Sequence, residues 1–376
     1  MKFLIAPNAL KGSLTASDAA ATISRTLNEI YPDAECIPSP VADGGNGTLD
    51  CLIQATKGTI YSKSVRGPLA SMNVNARWGI LGDGKTAVIE MAEAAGLHLL
   101  RPDQYDAAHA TTYGVGELIR AAMDSRCNKI IVGLGGSATT DGGAGCARAL
   151  GVKFFDEKRM ELTDGGINLA GLQDVDTKNI DDRIQNTEII GLADVKNTLY
   201  GVHGTALTFA AQKGATDEQA RLLDKALEHY ASIIENAVHR DVSRNPGSGA
   251  AGGLGAGLIA FCNATISSGI EFILDTIHFD DLLRQCDCVI TAEGKLDSQT
   301  LQGKGIDGIA RRARKFNKPV HAFAGSVAGD KISLKQKLGL AQLIQISPEN
   351  VSAEAAMSNA ETYLARGVRR HFLTAN

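Results

Sequence analysis

The sequence predicts an α/β protein in which a second α/β domain is inserted into a discontinuous first one. Three observations carry this. Short strand–loop–helix units fill residues 1–64. Units of the same rhythm return over 286–376. The stretch between them, 65–285, differs: it has adjacent strands, one long helix and glycine-dense runs. A length of 376 residues is enough for about two domains.

The elements follow in order. Phe3 to Ala6 is a short apolar run, read as a buried strand, and the loop "PNALKGS" follows it. Thr15 with Asp18 resembles a capping box, and Ile23, Leu27 and Ile30 then recur at helical spacing. Ala34 to Ile37 is a second strand, leading into "SPVADGGNGT". Next, "TIYSKSV", "VNARWGIL" and "TAVIEMA" read as strands, with Gly82 to Lys85 as the hairpin turn between the last two. A helix around Val115 to Met123 leads into the strand "KIIVGLG". Asp217 to Val238 is a long helix, with apolar residues including Leu222, Leu223, Leu227 and Ile234. "NPGSGAAGGLGAG" (245–257) reads either as a flexible linker or, since it runs into "LIAFCN", as part of the fold. "CVITAEG" ends a strand, Thr300 to Lys315 is a helix, and "PVHAFAGS" and "LIQIS" are strands.

Composition excludes several classes. The net charge of −4 offers no basic field for nucleic acid. The basic run Arg311, Arg312, Arg314 and Lys315 reads as a solvated helix C-terminus complementing the dipole. The apolar run of "MKFLIAPN" is too short for a signal peptide, and no stretch reaches the length of a membrane span. Seven cysteines without a C-x-x-C read as reduced thiols of a cytoplasmic protein.

Five loops share one form: "LKGS" (10–13), "ADGGNGT" (42–48), "GLGGSATTDGG" (133–143), "ADVKNTLYG" (193–201) and "AEGKLDSQT" (292–300). Each mixes glycine with acidic, basic or hydroxyl residues after an apolar segment. Glycine lets backbone amides approach an anion, carboxylates at strand ends hold Mg²⁺ or accept a proton, and lysine and serine suit phosphate. This is the inventory of phosphoryl transfer. The third loop also spells G-x-G-x-x-A through Gly133, Gly135 and Ala138, with Asp156 and Glu157 beyond it, as a dinucleotide fingerprint would. That fingerprint should open the first βαβ unit, however, and "SATTDGG" sets polar residues and glycine where a helix should begin to pack. No H-E-x-x-H or G-x-S-x-G occurs, and Ser137 lacks a histidine partner evident in sequence.

Taken together, "APNALKGSLTASDAA", "PVADGGNGTLD", "VGLGGSATTDGGAG", "GAAGGLGAGL" and "EGKLDSQTLQGK" closely resemble the bacterial type I glycerate kinases, in the right order over residues 1–330. The resemblance implies two unlike α/β domains, one flavodoxin/Rossmann-like and discontinuous (1–64 plus 286–376), the other inserted (65–285), with the site in the cleft between them. It implies phosphorylation of D-glycerate by ATP with Mg²⁺, giving 2-phosphoglycerate, by a cytoplasmic monomer or homodimer that engages neither nucleic acid nor membrane. Lys11, Asp194 and Asp297 are the expected catalytic residues, with Asp297 acting on the acceptor hydroxyl. Ser13, Asp43, Gly44, Gly45 and Asn46 are expected to bind substrate or nucleotide. So are Gly135, Gly136, Ser137, Thr139, Asp141, Asn197, Gly294 and Ser298. Asp43, Asp194 and Glu293 are the expected metal ligands. Two departures from the family pattern stand near these positions: Thr198 replaces a proline, and Ala210–Ala211 replace Gly-Pro. Two rival classes stay open, an NAD-dependent hydroxy-acid oxidoreductase and a non-catalytic sensor of glycerate or nucleotide.

Overall fold

The structure is a computed structural model and describes residues 1–10, 12–297, 300–301 and 305–373. In chain order the strands are β1 (Lys2–Ile5), β2 (Glu35–Pro38), β3 (Thr59–Arg66), β4 (Asn73–Ile80), β5 (Thr86–Glu90), β6 (Lys129–Gly133) and β7 (Lys153–Phe155). They continue with β8 (Asp174–Asp176), β9 (Glu188–Leu192), β10 (Thr265–Ser267), β11 (Cys288–Leu296), β12 (Val320–Val327) and β13 (Gln342–Gln345). The chain divides into two compact units, Met1–Asp43 with Ser268–Asn376, and Gly44–Ser267.

The first unit is built on an all-parallel sheet of order β13-β12-β11-β1-β2. Counted along the unit alone this is 2-1-3-4-5, the flavodoxin-like order, whose direction reverses between β1 and β11. A parallel sheet is covered on both faces, so its strands read as apolar runs. In β1, Phe3 and Ile5 face the helices Ala16–Ile30 and Ala360–Leu373, packing with Ile23, Leu27, Leu364 and Phe372. Leu4 points the other way, into Ile270, Phe279, Ile306 and Ile309. Thr15 caps the first helix, accepting from the Asp18 amide at 3.1 Å.

The second unit holds a six-stranded sheet, β10-β9-β6-β5-β4-β3, parallel from β10 to β5 and antiparallel through β4 and β3. A small antiparallel pair, β7 with β8, stands apart. The helix Asp217–Val238 runs as expected, with a capping box between Thr216 and Gln219. Of its apolar residues Leu222 is 48% exposed, while Leu223, Leu227 and Ile234 are buried.

Two sequence readings change, and one that was open is decided. The units change over at Asp43/Gly44 and Ser267/Ser268, not at 64/65 and 285/286. The reason is pairing: β3 is hydrogen-bonded to β4 in the second sheet, and the helices Gly269–Thr276 and Phe279–Gln285 bury Ile270, Leu274, Phe279 and Leu283 in the first unit's core. The basic run is not simply solvated. Arg312 donates to Glu271 and Asp280, and Arg311 pairs with Glu271 and Asp307. The glycine-dense stretch is not a linker, since Ala250 and residues 252–257 are buried.

The β4–β5 hairpin turns through Gly84, whose φ of +69° suits glycine. Gly79 to Thr86 also satisfies the phosphate-loop spacing G-x-x-x-x-G-K-T, which should join a strand to a helix. Here it joins two antiparallel strands, and Asp83 accepts from the Lys85 and Thr86 amides and the Thr86 hydroxyl, so the motif is a hairpin turn. Among the described residues no helix is long and apolar enough to cross a membrane.

Candidate functional site

In the first unit the chemistry gathers at the carboxyl ends of the strands, where ligands bind in open α/β sheets. Beyond β1, the Ala6 and Asn8 amides donate to Ile290 and Ala292, prolonging the pairing with β11. Asn8 is buried, and its Oδ1 accepts the Ala9 amide at 2.7 Å. The next loop closes on itself. Leu10 and Leu14 exchange backbone hydrogen bonds of 3.0 and 3.1 Å, and Ser13 Oγ donates to the Leu10 carbonyl at 2.8 Å. Gly12 sits at the tip with φ +79°, a conformation that strains any side chain. Lys11, the expected catalytic lysine of this loop, lies outside the described residues, as does Ser298.

A cavity of about 630 Å³ opens here, lined among others by Ser13, Asp43, Glu293, Gly294 and Asp297. Five expected site residues from three separate loops thus share one wall. Glu293 lies within β11, so it and Asp297 do not stand on a common helical face; the helix Gly305–Lys315 follows. A Cβ on Gly305 would stand 3.2 Å from Asn8 Nδ2 and 3.6 Å from Glu293 Oε2, which places those two groups beside that helix start. Lys295 Nζ stands 3.4 Å from Asp297 Oδ2, and the Asp297 amide donates to Thr300 Oγ1. Mg²⁺ is held by one or two carboxylates together with substrate phosphates, and Asp43 and Glu293 suit that role in kind. Asp194, the third expected metal ligand, follows β9 in the second unit, and among the described residues no three His, Cys, Asp or Glu side chains gather as metal ligands.

In the second unit the loop after β6 is built on the loop 44–47. Gly135 donates its amide to the Gly44 carbonyl at 3.0 Å. A Cβ on Gly135 would fall 2.5 Å from the Gly45 Cα, and one on Gly136 would fall 2.6 Å from Asn46 Oδ1. The expected binding residue Gly135 is therefore a glycine first because the Gly45 backbone lies against it, and Gly44 because a Cβ there would stand 2.8 Å from the Leu192 carbonyl. Behind them, a Cβ on Gly252 would strike the Thr139 carbonyl at 1.9 Å, so the glycine-dense stretch packs against the same loop. The dinucleotide reading also fails geometrically. No helix follows Ala138; the next begins at Ala144 and ends at Ala149. Asp156 closes a turn by accepting the Lys158 and Met160 amides.

Asp141 is buried, and its carboxylate takes the Thr112 amide and hydroxyl, both at 2.8 Å, and the Gly143 and Gly145 amides. Burial raises its pKa against those four donors. With its acceptors so engaged, this expected ligand residue holds the loop and the start of the helix Ala144–Ala149. Thr139 is fully buried. Asn197 is likewise occupied, donating to the His203 carbonyl at 2.8 Å and to Thr208 Oγ1 at 3.3 Å. Thr198 turns its hydroxyl to the Tyr200 carbonyl.

Two groups escaped the sequence reading. Lys213, inside "FAAQKGA", is 2% exposed, and its Nζ donates to Ser137 Oγ at 2.8 Å and the Thr139 carbonyl at 2.6 Å. Burial pulls its pKa down to about 7, with the Asp141 charge opposing. Ser137 therefore has a basic partner after all, a lysine rather than a histidine. The signal was a lone lysine set among small residues next to a glycine. The second group is Glu90, buried at the end of β5, whose Oε1 accepts the Leu49 amide at 2.8 Å in the first turn of the helix Thr48–Thr56. Burial raises its pKa to about 7, against the Leu49 amide. The tripeptide His239–Arg240–Asp241 is a helix end: His239 is its left-handed cap, and Asp241 accepts the Ser243 amide and hydroxyl.

Comparison with known proteins agrees with this architecture. The pattern of the glycerate kinase family matches residues 3–375. Glycerate 2-kinase of Escherichia coli (strain K12) is 46% identical over 330 residues, 88% of this chain and 86% of its own. Glycerate kinase of Bacillus subtilis (strain 168) is 41% identical over 369 residues, 98% of this chain and 96% of its own. A crystal structure bearing a glycerate kinase 2 name, from Salmonella typhimurium LT2, aligns with a TM-score of 0.84 at 41% identity, covering 100% of this chain and 98% of that one.

Proposed function

This chain belongs to the glycerate kinase family and is a kinase, and from that premise we propose that it transfers the γ-phosphoryl group of ATP to D-glycerate, giving 2-phosphoglycerate. The observation that carries this reading is the first unit's cavity, where Asp43, Glu293 and Asp297 stand with the tip-closed loop of Ser13. Phosphoryl transfer needs positioning and charge stabilisation more than covalent help. In this reading Asp297 accepts the proton of the glycerate hydroxyl as its oxygen attacks the γ-phosphorus. The bond from that phosphorus to its bridging oxygen breaks, and ADP leaves. Asp43 and Glu293 hold Mg²⁺, which supplies charge neutralisation on the phosphates. Lys11 and Ser13 meet the anionic groups, and Asp194 offers a further carboxylate. In the same reading Ser137, on the loop after β6, is a substrate-binding residue. Seven free thiols fit a reducing cytoplasm.

The test is phosphorus NMR with ATP, Mg²⁺ and D-glycerate. ADP and a phosphomonoester on C2 are expected, and chelation of the metal stops both. A monoester on C3 overturns the product; ATP left intact overturns the activity.

A further inference from the structure

We propose that the apolar side of the first unit's cavity, from Ile346 to Ala360, seats the purine base of the phosphoryl donor. The inference rests on the reading of the chain as an ATP-dependent kinase and adds the place of the nucleoside.

The cavity has two chemically different sides. One is polar: Glu293, Asp297 and Ser326 around β11 and β12, with Asp43 from the loop after β2. The other is contributed by the segment after β13, where Ile346, Pro348, Val351, Ala356 and Met357 face the same space, with Ser347 and Glu349 as its polar members. A three-carbon hydroxy acid has no apolar face to lay against such a wall and would fill a small part of about 630 Å³. A nucleotide has both the size and a flat apolar face, and cavities of roughly 300–1,000 Å³ suit ligands of that class.

The sheet register sets the spacing. Glu293 pairs with Ala324, and Ala324 pairs with Gln345. The carboxylate and the start of the apolar segment are thus two strand spacings apart, about 10 Å. A ribose and its first phosphates span such a gap. The wall is also braced. Gln345 accepts the Val327 amide at 3.1 Å and donates to the Ser347 carbonyl at 3.2 Å, tying the end of β12 to the loop that carries the wall. At its other end Met357 meets the phosphate-type loop, since a Cβ on Gly12 would stand 3.0 Å from its Sδ. The same wall therefore reaches from the strand ends to the loop bearing Ser13.

Ala356→Trp tests this. Ala356 is half-buried in the short helix Ala353–Ser358, which has no buried residue, so the added ring fills the cavity without entering a core. KM for ATP is expected to rise about tenfold or more while KM for D-glycerate stays within about twofold. The rise in Tm that ADP gives the wild type should be lost in the variant. Met357→Ala, which strips the wall instead of filling it, should raise KM for ATP by about threefold. A rise in KM for D-glycerate alone, or ADP stabilising Ala356→Trp as it does wild type, overturns the proposal. Were the protein not to phosphorylate D-glycerate, the kinase reading would fail separately. ADP would then decide the pocket: stabilisation seen in wild type and lost in Ala356→Trp supports it, and no stabilisation of wild type overturns it.

Discussion

Replacing Lys213 by Met should abolish a pH dependence of stability that this one buried amine creates. The side chain is 2% exposed and gives hydrogen bonds to Ser137 Oγ and the Thr139 carbonyl. Its pKa falls from 10.5 to about 7 on folding because burial disfavours the ammonium. Between those values the unfolded lysine is protonated and the native one is neutral. The unfolded state therefore binds more protons, and native stability rises with pH across the window from about 7 toward 10.5. Each full pH unit is worth at most about 1.4 kcal/mol, so the window holds on the order of 5 kcal/mol. Methionine is similar in length and never charged, so the variant lacks this slope. It also leaves a buried carbonyl and a hydroxyl without their donor, costing about 1–3 kcal/mol. The assay uses Trp78, the single tryptophan, buried in the second unit where Lys213 lies. Urea midpoints read from its fluorescence at several pH values between 7 and 9 should diverge, with wild type gaining on the variant as pH rises. The raised thiol pKa values act equally on both chains and cancel in the difference. Parallel profiles would refute the argument, since they would mean that the amine is not desolvated in the native state.

Asp297→Asn should lower kcat by about 100-fold or more while the Tm stays at the wild-type value; a fully active variant with a lower Tm would make Asp297 structural. Gly135→Ala should destabilise the second unit by about 1–3 kcal/mol, seen as an earlier Trp78 transition, because its Cβ would lie 2.5 Å from the Gly45 Cα. Thiol titration at pH 8 should find at most one readily reactive group, half-buried Cys36, in the native protein and all seven after denaturation, since burial holds Cys51, Cys262 and Cys288 up at about 12. Several native thiols reacting at once would contradict that burial.

What the sequence determined by itself is local. The helix Asp217–Val238 follows from the Thr216–Gln219 capping pair and an apolar stripe, and the β4–β5 hairpin follows from a glycine turn between apolar runs. The uninterrupted apolar run of β1 announced a strand buried on both faces. Family membership was legible too, because the five strings that carry the resemblance are contiguous and their order needs no structure. The tertiary structure decided whatever depends on distant partners. Ser137 and Lys213 are separated by 76 positions, so no local pattern could join them. Asp141 reads in sequence like the other loop carboxylates, and only its burial against Thr112, 29 positions away, makes it structural. The glycines of two separate loops looked like ligand cradles, but at Gly135 and Gly44 the missing side chain leaves room for the backbone of a segment distant in sequence. The apolar wall after β13 carries no motif at all, and it becomes visible only because parallel strand order sets that segment two strands from Glu293.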